Sequence, residues 1–206
     1  MKTNTVYTSA WLFIFFSTLL WSAIAPNDAL TWLLEALPAI IALIILTFTR
    51  KTFPLTTLAY LLILIHAVIL MVGAHYTYAE VPLFDALAEL MGSERNNYDK
   101  LGHFVQGITP AIITREIIIR QDVITSSRWM NFFVICVCLA VSAFYELIEW
   151  WIALASGKSA DAFLGTQGYI WDTQSDMMFA LIGAITALLT LSYLHDRQLS
   201  SINRKR

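Results

Sequence analysis

The sequence predicts an all-α, multi-pass membrane protein: one bundle of about six transmembrane helices, with a short amphipathic helix on its outer surface. Three observations predict it. Of 206 residues, 58% are hydrophobic and 14% charged, with a mean hydropathy of +0.64, against roughly 45–50% and about 25% in ordinary soluble domains. Six runs approach the ~20 apolar residues that a span requires, near residues 10–25, 30–48, 55–74, 101–119, 130–154 and 177–194. Basic residues, finally, alternate between loops as a bundle with both termini on one side demands. The spans nearly exhaust the chain, so residues 1–206 are expected to form a single integral membrane domain.

In the first run, Ala23-Ile24-Ala25 resembles a signal-peptidase site. Pro26 follows directly and only Lys2 precedes the run, so a retained helix is expected. Pro26, Asn27 and Asp28 supply a tight turn and capping chemistry, giving an antiparallel hairpin with the second helix. Pro38 should kink that helix or mark a place where neighbours rescue its freed carbonyl. Pro54 suits a first-turn position of the third.

In the long loop of residues 75–97, Leu83, Phe84, Leu87 and Leu90 recur at helical spacing with Asp85 and Glu89 between them. This predicts the amphipathic helix, over 81–91. The fourth and fifth spans carry His103, Arg115, Glu116, Glu146 and Glu149, and should therefore face the bundle interior. Arg115 and Glu116 read as a pair at the inner surface. The loop of residues 156–171 mixes Gly157, Gly165 and Gly168 with apolar anchors, too structured in character for a linker. Cys136 and Cys138, two apart on a helix, do not face each other and read as buried small residues rather than a disulfide or metal pair.

Basic residues set orientation. With cytoplasmic termini, Lys2, Arg50, Lys51, Arg115, Arg120, Arg128, Arg197, Arg204, Lys205 and Arg206 lie inside, and only Arg95, Lys100 and Lys158 outside. Carboxylates sort oppositely: of fifteen, only Glu116, Asp122 and Asp196 fall inside. Acidic residues contribute little to topology, so the asymmetry points to an outer face suited to cations or protons. The chain carries no nucleic-acid signature. The short basic tail needs no partner beyond membrane lipids, and the sequence sets no oligomeric state.

Three polar pairs carry the chemistry. Asp99 and His103 are four apart, so they share a helical face, and a carboxylate beside an imidazole fixes its tautomer and raises its basicity. His103 oriented by Asp99 is the expected acid or base. Glu146 and Glu149, three apart, do not readily ionise together in a low dielectric unless a cation lies between them. Asp172 and Asp176 open the last span, where capping alone accounts for Asp172, whereas Asp176 lies further in. Topology brings all three pairs to one membrane level, within reach of Glu35 and His75.

Glu146, Glu149 and Asp176 are the expected metal ligands, with Asp172, His75 and Glu35 as further contributors. Oxygen donors with imidazole and no thiolate suit Mg, Mn, Ca or Zn. His66, mid-span, is expected to bond a neighbouring carbonyl.

At Asp99-Lys100-Leu101-Gly102-His103, Glu146-Leu147-Ile148-Glu149, Phe163 to Gly168 and Trp171 to Met177, the chain resembles the YjdF-like family of bacterial inner-membrane proteins. More distantly, the Asp-Lys-x-x-His opening and the later acidic pairs are similar to the VanZ-like family, whose members are linked to glycopeptide-antibiotic tolerance. The resemblance implies a helical protein of the bacterial inner membrane and carries over no established chemistry. It also implies an Asp in relatives at the position of Tyr169, so no metal or acid role falls there in this chain.

Three functions follow: an enzyme acting on a lipid-like or small amphiphilic substrate at the outer leaflet, a proton- or cation-coupled transporter, and a non-catalytic assembly or sensor protein. Acids crowded to one side and the lack of an internal repeat favour the first over the second.

Overall fold

The computed structural model describes residues 5–156 and 167–203, which are helical and contain no strand. The helices are α1 (Thr5–Ser22), α2 (Ala29–Thr49), α3 (Thr57–Tyr76), α4 (Pro82–Leu90), α5 (Tyr98–Arg120), α6 (Ser127–Ser156), α7 (Asp172–Thr190) and α8 (Ser192–Asn203). Residues 157–166, which hold most of the loop expected to be structured, lie outside the described residues.

Among the described residues, α1, α2, α3, α6 and α7 are long and apolar enough to cross a membrane. The sixth expected span, α5, is too polar to qualify by composition. Its 23 residues still reach about 35 Å at 1.5 Å per residue, enough for a ~30 Å hydrocarbon layer. The polarity has a structural reason: α5 packs on α3, α6 and α7, so protein rather than lipid surrounds it. Exposed Trp21, Trp150, Trp151 and Trp171 mark the upper end, where α5 and α7 begin, and Trp129 and Tyr193 mark the lower, as aromatic belts do at membrane interfaces.

The parallel pair α5 and α7 makes the closest contact. A Cβ added to Gly107 would lie 2.0 Å from the Ala180 carbonyl oxygen, and one added to Gly183 would lie 2.0 Å from that of Phe104. With Ala111, Ala180, Ala184 and Ala187 fully buried beside them, the backbones touch. Apolar side chains gain little by leaving lipid for protein, so such close van der Waals packing holds membrane helices together.

Most of the apolar core fills the lower half, where Leu58, Ile63, Ile112, Met130, Val134 and Cys138 join Ala111, Ala184 and Ala187. Both cysteines are free: Cys138 is buried as expected, with Sγ 3.6 Å from the Gly107 carbonyl, whereas Cys136 is only half-buried. A second cluster joins Phe15 of α1, Ala39 of α2, and Leu64 and Met71 of α3. The helices α1 and α2 thus pack principally on α3 rather than along each other, opening the expected hairpin.

Asp28 caps α2 through the Thr31 N–H at 2.8 Å, and Pro38 lies inside that helix. Pro54 falls before the cap of α3, which is Thr56; its carbonyl accepts from Arg120 at 2.6 Å. The amphipathic helix is present as α4, with its apolar residues divided. Phe84 packs edge-on against Tyr98 at 5.1 Å between centroids, while Leu83, Leu87 and Leu90 face outward.

The expected last span breaks at Leu191, and α8 folds against the start of α3 and the end of α5. Its fully buried His195 explains why. Nε2 of His195 lies 3.2 Å from Glu116, and Nδ1 lies 3.0 Å from Arg115. The sequence reading of Arg115 and Glu116 as a mutual surface pair is thereby corrected. Arg115 pairs with Asp196 of α8 at 2.7 Å. Glu116, also fully buried, accepts from Arg120 at 2.8 Å and from the Thr56 hydroxyl at 2.7 Å. Adjacent helical residues point about 100° apart, so neighbours in sequence find different partners.

Candidate functional site

The upper half of the bundle is where buried carboxylates collect. Asp99 and His103 sit in the opening turns of α5, and Asp172 and Asp176 in those of α7. Because the two helices are parallel and in backbone contact, these residues share one level. Glu146 comes from α6, about 15 Å below that helix's end at the ideal rise.

His103, 5% exposed, is the centre. Its Nε2 lies 3.5 Å from Asp99 Oδ1 and 3.6 Å from Glu146 Oε1. Its Nδ1 lies 2.9 Å from Gln106 Oε1. Gln106 Oε1 is placed to accept from an Nδ1–H, the tautomer in which Nε2 presents its lone pair to the carboxylates. One ligand atom each from Asp99, His103 and Asp176 lies within 4.8 Å of the others. Asp176 is 3% exposed, and its Oδ1 has no hydrogen-bond partner; the buried Glu146 Oε1 has none either. The Thr173 hydroxyl serves the other side of Glu146.

Ionised carboxylates in so small a space repel. At 4.8 Å and an effective dielectric constant near 20, the ionised Asp99–Asp176 pair costs roughly 3–4 kcal/mol. A divalent cation reverses the sign of that interaction, and two carboxylates with an imidazole form a fitting donor set for one.

The remaining expected contributors separate. Glu35 is buried and accepts from Tyr145 Oη at 2.7 Å. The Tyr145 ring stands edge-on to His103 at 6.1 Å, so Glu35 borders the site through it. Glu149 makes no hydrogen bond or ion pair among the described residues and is not one of the three converging ligands, but it lies within electrostatic reach of Glu35, Glu146, Asp99 and Asp176. Its spacing places it on the Glu146 side of α6, but one turn above His103. Asp172 does not cap its helix through a side-chain hydrogen bond; it forms an ion pair with Arg95.

His75 is directed elsewhere. Its Nδ1 meets the Ser22 carbonyl at 3.1 Å, and its ring lies tilted against Trp21 at 4.6 Å, which joins α3 to α1. His66 forms no hydrogen bond among the described residues, so the expected carbonyl partner is not made.

Sequence reasoning missed Gln106, Tyr145 and Thr173. Gln106 stands three residues after His103 on the same face, a spacing that signals the contact once His103 is suspected. Tyr145 points to α2 and Thr173 to α6, and no local spacing encodes either.

A clamp holds the loops above the site. The Gln167 side-chain amide accepts from the Asn96 N–H and donates to the Asn96 carbonyl, both at 2.9 Å. Asn96, 2% exposed, donates to the Val81 carbonyl at 3.0 Å and to Asp85 Oδ1 at 2.7 Å. At the end of α3, Thr77 and Tyr78 both adopt φ of 57°, and the Tyr78 ring folds back over Gly73. Burial, reinforced by nearby carboxylates, pushes the Tyr78 phenol well above its ordinary range, so it stays protonated and faces the Leu70 carbonyl at 3.4 Å.

A family model described as "Predicted membrane protein (DUF2238)" matches residues 7–197. The inner membrane protein YjdF of Escherichia coli (strain K12) is 53% identical over 181 residues, covering 88% of this chain and 87% of that protein. No solved structure matches the chain.

Proposed function

The chain belongs to the DUF2238 family of membrane proteins, and on that premise we propose that it is a metal-dependent enzyme acting on the headgroup of a lipid-like substrate. Multi-pass membrane character and a place in the bacterial inner membrane follow from the family and from the E. coli relative. The metal and the substrate rest on the geometry of the site.

Asp176 carries the reading. A carboxylate 3% exposed with an unpartnered Oδ1 is costly unless something absent from the chain satisfies it, and that oxygen belongs to the residue converging with Asp99 and His103. These three are the ligands in this reading. The mixed set favours Mn or Zn over Mg or Ca, because imidazole suits the former. Such an ion would polarise a phosphoryl or carbonyl oxygen and lower the pKa of bound water. Glu146, whose Oε1 has no hydrogen-bond partner and lies 3.6 Å from His103 Nε2, would be the base for that water's proton. Gln106 holds His103 in the ligating tautomer.

With cytoplasmic termini, as the basic residues argue, the site opens to the outer leaflet. The flanking helices α2 and α6 do not pack closely along their lengths, and Tyr145 to Glu35 is the polar link between them. An amphiphile entering sideways between them reaches His103.

The test compares lipids in cells lacking the protein, complemented with wild type or with Asp176→Asn. The expected result is an amphiphile that accumulates without the protein, falls with wild type and stays high with the variant. Identical lipid profiles in all three strains overturn the enzymatic reading.

One observation favours a cation-coupled carrier as the second reading. Ser142, fully buried with an unpartnered Oγ, stands one turn below Glu146 and extends the polar region towards the membrane centre. Ion flux into liposomes that disappears in Glu146→Gln would select it.

A further inference from the structure

About one turn above His103 and Asp176, at the level of Asp99 and Asp172, a shallow pocket of about 330 Å³ is lined by Arg95, Lys100, Gln167, Gly168 and Tyr169. Its walls are preformed. The two-bond clamp between Gln167 and Asn96 fixes one side, and Gln167 and Gly168 turn the backbone through φ of 49° and 78°.

The Tyr169 ring gathers two cations. Arg95 lies 5.4 Å and Lys100 lies 5.5 Å from its centroid. Lys100 also lies 5.8 Å from the Phe179 ring of α7. Arg95 has its carboxylate in Asp172, whereas Lys100 forms no ion pair among the described residues. Aromatic faces hold an ammonium in place without neutralising it, and the described lining residues include two cations and no carboxylate at the mouth of an acidic site.

We propose that this pocket binds a phosphate group, with Lys100 as its charge partner and the Arg95 guanidinium flanking it. Lys100 precedes His103 by one helical turn on α5, as Asp172 precedes Asp176 on α7, and a turn rises about 5.4 Å. A phosphate on Lys100 therefore stands within a turn of the converging residues, and its charge of up to about −2 matches the Lys100 ammonium together with the Arg95 guanidinium. A carboxylate, with a single charge, matches that pair less well. The assignment deepens the enzymatic reading by giving the headgroup its chemistry, and it stands or falls without a metal.

The test is calorimetric titration of full-length protein, purified in a phosphate-free maltoside detergent with EDTA. Inorganic phosphate and dihexanoyl phosphatidic acid are titrated in separate arms. Saturable binding is expected in at least one arm, weakened about tenfold or more by Lys100→Gln, regained in Lys100→Arg and retained in His103→Ala. Tighter binding of the phosphatidic acid identifies a lipid headgroup, and equal binding identifies free phosphate.

Tyr169→Ala, which removes the platform and leaves both charges, is expected to weaken binding as well, so a poorly folding Lys100 variant does not remove the test. Absence of saturable binding in both arms, or affinity indifferent to Lys100→Gln, overturns the proposal. Binding abolished by His103→Ala but not by Lys100→Gln also overturns it, by placing the anion at the His103 cluster. Because EDTA removes divalent ions throughout, a failed metal reading leaves these outcomes unaltered.

Discussion

Replacing Gly183 by Ala is expected to disable the site without touching any of its polar groups. The new Cβ would stand 2.0 Å from the Phe104 carbonyl oxygen, and ordinary contact begins at 3.4 Å. Backbone atoms form the obstacle, so no rotamer relieves it, and α5 and α7 must part by up to about 1.4 Å, at a cost of ~1–3 kcal/mol. The same helices carry Asp99 and His103 on one side and Asp176 on the other. Metal–ligand distances hold within about 0.2 Å, so a displacement of that size breaks the set, and affinity for a divalent ion should fall by at least the 10–100-fold seen when orienting groups are lost. Calorimetric titration with Mn²⁺, run beside thermal unfolding in the same detergent, separates lost affinity from lost fold. Wild-type affinity and melting temperature in Gly183→Ala would refute the claim that this backbone contact sets the geometry of the site.

Other perturbations probe separate parts of the bundle. Glu116→Ala leaves the buried Arg120 and His195 without their shared carboxylate, so a loss of about 3–5 kcal/mol is expected, read as a lower melting temperature and faster amide exchange in α8. Gly73→Ala puts a Cβ 2.5 Å from the Tyr78 ring and forces that ring off Tyr98, destabilising by about 1–3 kcal/mol; an unchanged melting temperature would show that the ring yields freely. Gln106→Leu frees His103 Nδ1 and should weaken divalent-ion affinity by about 10–100-fold while thermal stability stays close to wild type.

Much of this arrangement is legible in the chain because spacing and topology are both local rules. Four-residue spacing puts Asp99 and His103 on one face, and the alternation of spans puts Asp176 at their level. Spacing does not say which face meets which neighbour. Glu149 shares a side with Glu146 and is still not one of the three converging ligands, while Asp172, with the spacing of a ligand, is taken by Arg95. The fit of Gly107 and Gly183 against facing backbones decides the rotation of α5 and α7, and it emerges only when the helices are brought together. The same holds for α8. Its buried face is polar, built on His195 and its partners, so hydropathy carries no signal for its docking.

The most direct test of the central claim, that Asp99, His103 and Asp176 hold a divalent ion, is electron spin-echo spectroscopy of purified protein loaded with Mn²⁺. One bound Mn²⁺ per chain with modulation from an imidazole nitrogen is expected in wild type, the nitrogen signal disappearing in His103→Gln and stoichiometric binding in Asp176→Asn. Wild-type protein that binds no Mn²⁺, or bound Mn²⁺ with no imidazole coupling, would contradict it.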